Sequence, residues 1–143
     1  MFEAEKDKYL MKHGFGATRL KAVLFDMDGV LFDSMPNHAY SWSHAMTQFG
    51  LHITPEEAYM HEGRTGGGTI DLLAQRDWGR RATEEEKQTI YKAKSDVFSR
   101  CPEAPRMPGA YELLKKVKAD GFTPMVVTGS GQVSLIDRLN HNF

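Results

Sequence analysis

Cysteine is nearly absent. Cys101 is the only one in 143 residues, which excludes an internal disulfide framework and fits a reducing, cytoplasmic location. No apolar run approaches the ~20 residues that a membrane-crossing helix needs, and the opening MFEAEKDKYLMKHG is too charged for a signal peptide. An excess of either charge is also missing. With 18 basic and 19 acidic residues, nothing suggests a nucleic-acid partner or an anionic membrane surface. There is no internal repeat and no low-complexity segment. What remains is a length suited to one ordinary domain with a sizeable core.

Within that length the patterning changes twice. Residues 1–20 read as an optional N-terminal extension, a short polar helix closing at HGFG. Ala22-Val23-Leu24-Phe25 then form a continuous apolar run, the pattern of a strand buried on both faces. Helical punctuation follows. Trp42, Ala45, Met46 and Phe49 keep an i, i+3, i+4, i+7 stripe closed by Gly50. TPEE at 54–57 supplies a Thr N-cap with Pro at the first helical position, HEGRTGGGT at 61–69 reads as a Gly-rich loop, and TEEE at 83–86 caps a further helix. Tryptophans and methionines at helical spacing read as core.

After the Pro-rich CPEAPRMPG (101–109), a linker, Ala110, Leu113, Leu114 and Val117 define another amphipathic helix. TPMVVTGSG (123–131) gives a second buried strand running into a Gly/Ser turn, with a last helix starting near Gln132. The order describes an α/β fold: an incomplete Rossmann-like core, 21–33 with 104–143, interrupted by an all-helical cap at 34–103.

The chemistry concentrates in DMDGVLFDS, where the first strand ends. Ligands of open α/β sheets bind beyond the carboxyl ends of the strands. Asp26 and Asp28, two residues apart beside a glycine, repel each other unless a cation or a proton is shared between them. Mg²⁺ suits them, since it prefers hard oxygen ligands and pairs with phosphate. One carboxylate can attack phosphorus, and the other can protonate a leaving oxygen and then activate water. An EF-hand loop fits poorly, because Gly29 and Asn37 occupy the wrong places in its spacing.

DMDGVLFDS resembles the first signature of the haloacid dehalogenase-like phosphotransferase superfamily, and VVTGS resembles its second. MPNHAYSW at the entrance to the helical insertion resembles the β-phosphoglucomutase-like subgroup. EAYMHEGRTG and RMPGAYELL are similar to a bacterial branch of it that includes an inorganic pyrophosphatase. The resemblance covers residues 20–143. It implies a nucleophile and Mg²⁺ ligand at Asp26, and at Asp28 a general acid/base whose backbone carbonyl also meets the metal. It implies a phosphoryl-binding hydroxyl at Thr128, with further donors from Gly129 and Ser130.

In the cap, His38 matches a hinge histidine near the general acid, although a lone His at a helix start is commonly solvated or structural. Asp33 and Ser34 fit the hinge itself. Glu62, Arg64 and Thr65 fall in the loop that faces substrate in this subgroup. An acid at Glu62 would repel the second phosphate of a phosphosugar, but could ligate Mg²⁺ carried by a compact anion. Resembling sugar mutases carry a basic residue thereabouts, so the acid favours hydrolysis. Lys94 lies in the middle of the stripe Ile90, Tyr91, Val97 and Phe98. A lysine there either snorkels to solvent or faces an anion in the cleft, and the resemblance implies the second. His44, His52, His61 and His141 form no plausible metal set and read as solvated, and Cys101 receives no role.

The expected activity is Mg²⁺-dependent phosphohydrolysis of pyrophosphate or a small phosphate ester. A phosphosugar mutase is the alternative within enzymes, and an inactive fragment acting only by binding is the alternative outside them. The resemblance also implies a lysine and an acidic pair after the second motif, and the sequence stops at RLNHNF before either. The expectation is the N-terminal part of a larger enzyme. Purified alone, the 143-residue chain is expected to release little or no phosphate from phosphate esters, and ordinary enzymatic turnover by it in a phosphate-release assay would overturn that expectation.

Overall fold

Short-range rules account for most of the helix starts. Thr54 Oγ1 accepts from the Glu57 backbone N–H at 3.1 Å, and Pro55 follows at the first position of helix α3, Pro55–Met60. Thr83 and Glu86 form a reciprocal capping box at the start of α5, Glu84–Phe98, each side chain accepting from the other's backbone N–H. The computed structural model describes residues 3–131 and 133–143. Its remaining elements are α1 (Glu3–His13), β1 (Ala22–Phe25), α2 (Met35–Met46) with a 3₁₀ turn (Thr47–Phe49), α4 (Gly66–Asp77), α6 (Ala110–Ala119), β2 (Thr123–Val126) and α7 (Val133–Asn142). Gln132, where the sequence starts the last helix, lies outside the described residues.

Two apolar clusters organise these elements. One lies among the helices of the insertion and contains Ala45, Met46, Leu51, Ile70, Leu73, Ala74 and Ile90. The other gathers Phe25, Met27, Leu31, Phe32, Phe98, Val117 and Leu135 around β1, α6 and α7. β1 and β2 pair in parallel, Ala22 opposite Thr123 and Phe25 opposite Val126. Parallel neighbours require a long crossover, and here the whole helical insertion plus α6 provides it. The chain leaves and re-enters through adjacent strands of backbone: Asp33 N–H donates to Pro105 O at 2.9 Å and Met107 N–H to Leu31 O at 2.8 Å. The result is mixed α/β, a partial Rossmann-like core carrying a helical cap.

Three expectations need correction. The strands are not buried on both faces. Val23 and Phe25 turn into the second cluster, whereas Leu24 is 62% exposed and Met125, Val126 and Val127 are exposed too. Alternate side chains of a strand point to opposite faces, and in this two-stranded sheet the helices shelter only one of them. The glycine-rich segment is not all loop. Gly66–Gly68 form the first turn of α4, because Thr65 Oγ1 accepts from the Gly68 N–H at 3.2 Å and caps the helix. Methionine spacing is also a poor guide: Met46 is buried, but Met60 is exposed.

Removing a buried side chain from the insertion should be felt most. Leu73→Ala is expected to lower the unfolding free energy by about 2–5 kcal/mol, and Thr83→Ala by about 1 kcal/mol through loss of the cap. Chemical denaturation of both variants checks this order.

Candidate active site

Asp26 is the first residue after β1. Its Oδ1 accepts from the Met27 N–H at 2.7 Å. Met27 is fully buried, and its carbonyl accepts from Leu31 and Phe32, at 2.9 and 3.0 Å, while Gly29 N–H donates to Phe32 O at 2.8 Å. This tight loop reverses the chain at Gly29, whose φ of 72° lies in the left-handed region that glycine enters without strain. Buried Met27, Leu31 and Phe32 pin the loop from below, so the two aspartates on either side of Met27 turn to the opposite side.

Asp28 is only 8% exposed, and a buried carboxylate needs hydrogen bonds. Ser34, the N-cap residue of α2, supplies one. Serine at this position ordinarily caps its helix, but here the hydroxyl makes no cap bond and donates to Asp28 Oδ1 at 2.5 Å. One turn later His38 Nε2 meets the same Oδ1 at 2.9 Å, and His38 Nδ1 meets Lys94 Nζ from α5 at 2.8 Å. An ammonium at Lys94 can only donate, so Nδ1 accepts and the Nε2–H is the proton aimed at Asp28. Burial alone would raise the Asp28 carboxyl. Its hydrogen bonds with His38 and then Ser34 outweigh it and hold the group below its ordinary value.

Lys94 does not snorkel. It is 1% exposed, and its ammonium lies 4.8, 5.6 and 5.9 Å from the ring centroids of Phe98, Trp42 and Tyr91, within reach of cation–π attraction. Loss of water pushes its pKa down to about 8, against the charges of Asp28, Cys101 and Glu62. Glu62 shifts the other way: partial loss of water raises its carboxyl, His38 opposes this, and Asp28 and Asp26 reinforce it.

From the core side, Val127 N–H donates to Phe25 O at 2.8 Å and carries the strand pairing one step beyond β2. Thr128 follows, its Oγ1 accepting from the Ser130 N–H at 3.0 Å. Asp26, Asp28, Thr128, Gly129 and Ser130 border one cavity of about 230 Å³ together with His38, Glu62, Arg64, Thr65 and Lys94. The Thr65 hydroxyl is occupied as the α4 cap. Three further residues border the same cavity: His61, expected to be solvated, is half-buried there, and Trp42 and Tyr91 pack against the apolar cluster of the insertion while also facing the cavity. Spacing carried a signal for Tyr91, which lies one turn before Lys94 on the same face of α5. Cys101 Sγ approaches Val97 O at 3.6 Å and Ser41 Oγ at 3.8 Å, away from the cavity lining.

The donor set is oxygen-rich. Among the described residues no three His, Cys, Asp or Glu side chains enclose a metal position, but two carboxylates beside a phosphate-sized space match how Mg²⁺ is commonly held, with water and substrate completing its shell.

Residues 20–142 match the family model for haloacid dehalogenase-like hydrolases. The chain belongs to that family. A phosphoglycolate phosphatase of Haemophilus influenzae is 30% identical over 119 residues, 78% of this chain and 52% of its own. A solved structure from Bacteroides vulgatus, described provisionally as a beta-phosphoglucomutase, is 60% identical with a TM-score of 0.89, covering 99% of this chain and 57% of that one. The N-terminal segment thus has a counterpart there. A beta-phosphoglucomutase of Clostridium difficile, 22% identical at a TM-score of 0.68 over 86% of this chain and 56% of its own, shares the fold. The chain spans about half the length of the curated relatives it matches. None of its described helices is long and apolar enough to cross a membrane.

The buried lysine yields a pH signature. Between about 8 and its ordinary 10.5, the unfolded chain holds a proton at Lys94 that the folded chain has released. Stability contributed by this site therefore rises with pH across that window. Lys94→Met is expected to flatten the rise, as read from denaturation midpoints of variant and parent between pH 7 and pH 10.5.

Proposed function

We propose that this chain carries the nucleophile and the lid of a Mg²⁺-dependent phosphohydrolase acting on a small phosphorylated substrate, with residues 34–103 as the cap and the flanking segments as the core. The observation that carries this reading is the shared cavity. Asp26, at the carboxyl end of β1, and Asp28, buried and hydrogen-bonded to His38 and Ser34, open onto it with the Thr128–Ser130 turn. A carboxylate held ionised without a cation of its own in direct contact suits a group that manages protons.

In this reading an Asp26 carboxylate oxygen bonds to phosphorus as the bond to the leaving oxygen breaks, giving an aspartyl phosphate. Water then attacks that phosphorus, Asp28 takes its proton, and Asp26 is released with orthophosphate. Thr128, Gly129 and Ser130 offer donors to the phosphoryl oxygens. Asp26 and Asp28 would hold Mg²⁺, with Glu62 at the substrate side. The ion, when bound, offsets the negative charge gathered around phosphorus. Lys94, His38 and Arg64 supply positive or donor groups on the lid side of the cavity.

Asp28 is held ionised in the resting chain and can accept the proton of the attacking water. Glu62 borders the same cavity, and an acid there would repel the second phosphate of a phosphosugar but could ligate Mg²⁺ carried by a compact anion. Pyrophosphate or another compact phosphate compound is therefore the preferred substrate. The single cysteine accords with cytoplasmic action. A phosphosugar mutase is the second reading, favoured by the description of the 60% identical Bacteroides vulgatus structure.

Phosphate release by the whole protein from pyrophosphate, phosphoglycolate and hexose phosphates separates these readings. Hydrolysis is expected, fastest with the compact substrates and lost on chelation of Mg²⁺. Asp26→Asn should abolish it, and Asp28→Asn should slow it about 10²–10⁴-fold. Interconversion of hexose phosphates without net phosphate release would establish the mutase instead.

A further inference from the structure

His61 Nε2 is buried, yet it has no hydrogen-bond partner among the described residues. The side chain is 14% exposed and borders the cavity directly before Glu62. One helical turn earlier, Glu57 Oε1 lies 3.5 Å from that nitrogen, just beyond an ordinary N–H···O bond. The oxygen is held from behind. Arg76 Nη1, at the far end of α4, donates to it at 2.6 Å, and the same guanidinium donates to Asp77 Oδ1 at 2.8 Å and to the backbone carbonyl of His52. Asp77 Oδ2 in turn accepts from the His52 N–H at 2.7 Å. Glu57 is thus a fixed post off the cavity lining, and His61 reaches from it to the cavity. The chain then turns tightly: Arg64 N–H donates to His61 O at 3.1 Å across Gly63, whose φ is 78°. Glu62 and Arg64 both border the cavity from this turn. Its Thr65 end is tied down by the α4 cap, whereas its His61 end carries a contact that is not closed.

We propose that His61 is a positioning residue: a hydrogen bond from its Nε2 to Glu57 closes as the lid turn settles on a phosphate compound, and it fixes Glu62 and Arg64 against that ligand. The inference rests on the reading of this cavity as a phosphate site. Bringing the 3.5 Å contact to the length of an ordinary hydrogen bond takes a shift of under about 1 Å. With Glu57 braced by Arg76, the turn is the part that moves. A ring with its proton on Nε2 donates to a carboxylate oxygen whether or not it is charged. Leaving a buried polar atom unpartnered is destabilising, so an apolar side chain would fill this space at less cost if packing were the whole role. A contact that closes only over a ligand strengthens binding without stabilising the fold itself.

Affinity tests this separately from turnover. In the whole protein, calorimetry with methylenediphosphonate, a compact diphosphonate that is not hydrolysed, is run with Mg²⁺ present. His61→Phe keeps a ring and its packing but has no donor. It is expected to weaken the probe at least about tenfold without lowering the denaturation midpoint. His61→Gln restores a side-chain donor and should recover most of that affinity, which packing alone would not produce. Glu57→Ala should weaken the probe to a similar degree, and adding His61→Phe to it should cost nothing more, because both changes remove one contact. If His61→Phe does not fold, Glu57→Ala decides from the other side of the contact: weaker binding supports the proposal and unchanged binding overturns it. Full affinity in folded His61→Phe, no recovery in His61→Gln, or additive losses in the double variant overturn it, as does binding of the probe to no form. A parent that binds the probe but releases phosphate from no substrate would sink the hydrolase reading, while the His61 comparison would still report on the turn.

Discussion

A carboxylate withdrawn from water must be compensated, and the site is built around the compensation of Asp28. Its partners come from two separate stretches: Ser34 and His38 at the start of α2 and, through His38, Lys94 on α5. Each serves a second purpose. Ser34 forgoes its cap to reach the carboxylate, His38 packs its ring on Phe98 with centroids 4.5 Å apart, and Lys94 is buried among aromatic faces. The chain of contacts thus ties the loop after β1 to two helices of the cap, and α2 and α5 are joined by polar contacts as well as by packing.

That arrangement fixes the sense of the electrostatics. Lys94 gives up solvation and leans toward deprotonation, while Asp28 is held ionised and Glu62 at the rim leans toward protonation. Groups with opposed tendencies face one small cavity, the condition under which proton-transfer roles separate.

The capping box at Thr83 and Glu86 could be read from four adjacent letters, because its partners are three residues apart and need nothing else from the molecule. DMDG was legible for a related reason. A buried apolar run, two carboxylates and a glycine at the turn describe a strand end and its loop within a single segment. Lys94 was legible in part: helical periodicity put it on the apolar face, but whether it reached solvent or turned inward depended on His38, far away in sequence. The tripled glycine reads as loop from composition, since glycine is a poor helix former, whereas the Thr65 cap starts α4 there. His61 was misread as solvated because burial is set by which helices come to lie over it.

Strand burial marks the boundary most clearly. Composition alone made β1 apolar, yet Leu24 faces outward, since the exposure of a strand face is decided by its neighbours and not by its own residues. The sequence by itself determined the local elements, their caps, the turn that presents Asp26 and Asp28, and the membership in a hydrolase family. Only the tertiary structure decided that Ser34 serves Asp28 and not its helix, and that Lys94 and His38 form one chain. Local features follow from interactions a few residues long. The contacts that give the site its charge balance and size join residues far apart in sequence, and no periodicity records which of them will meet.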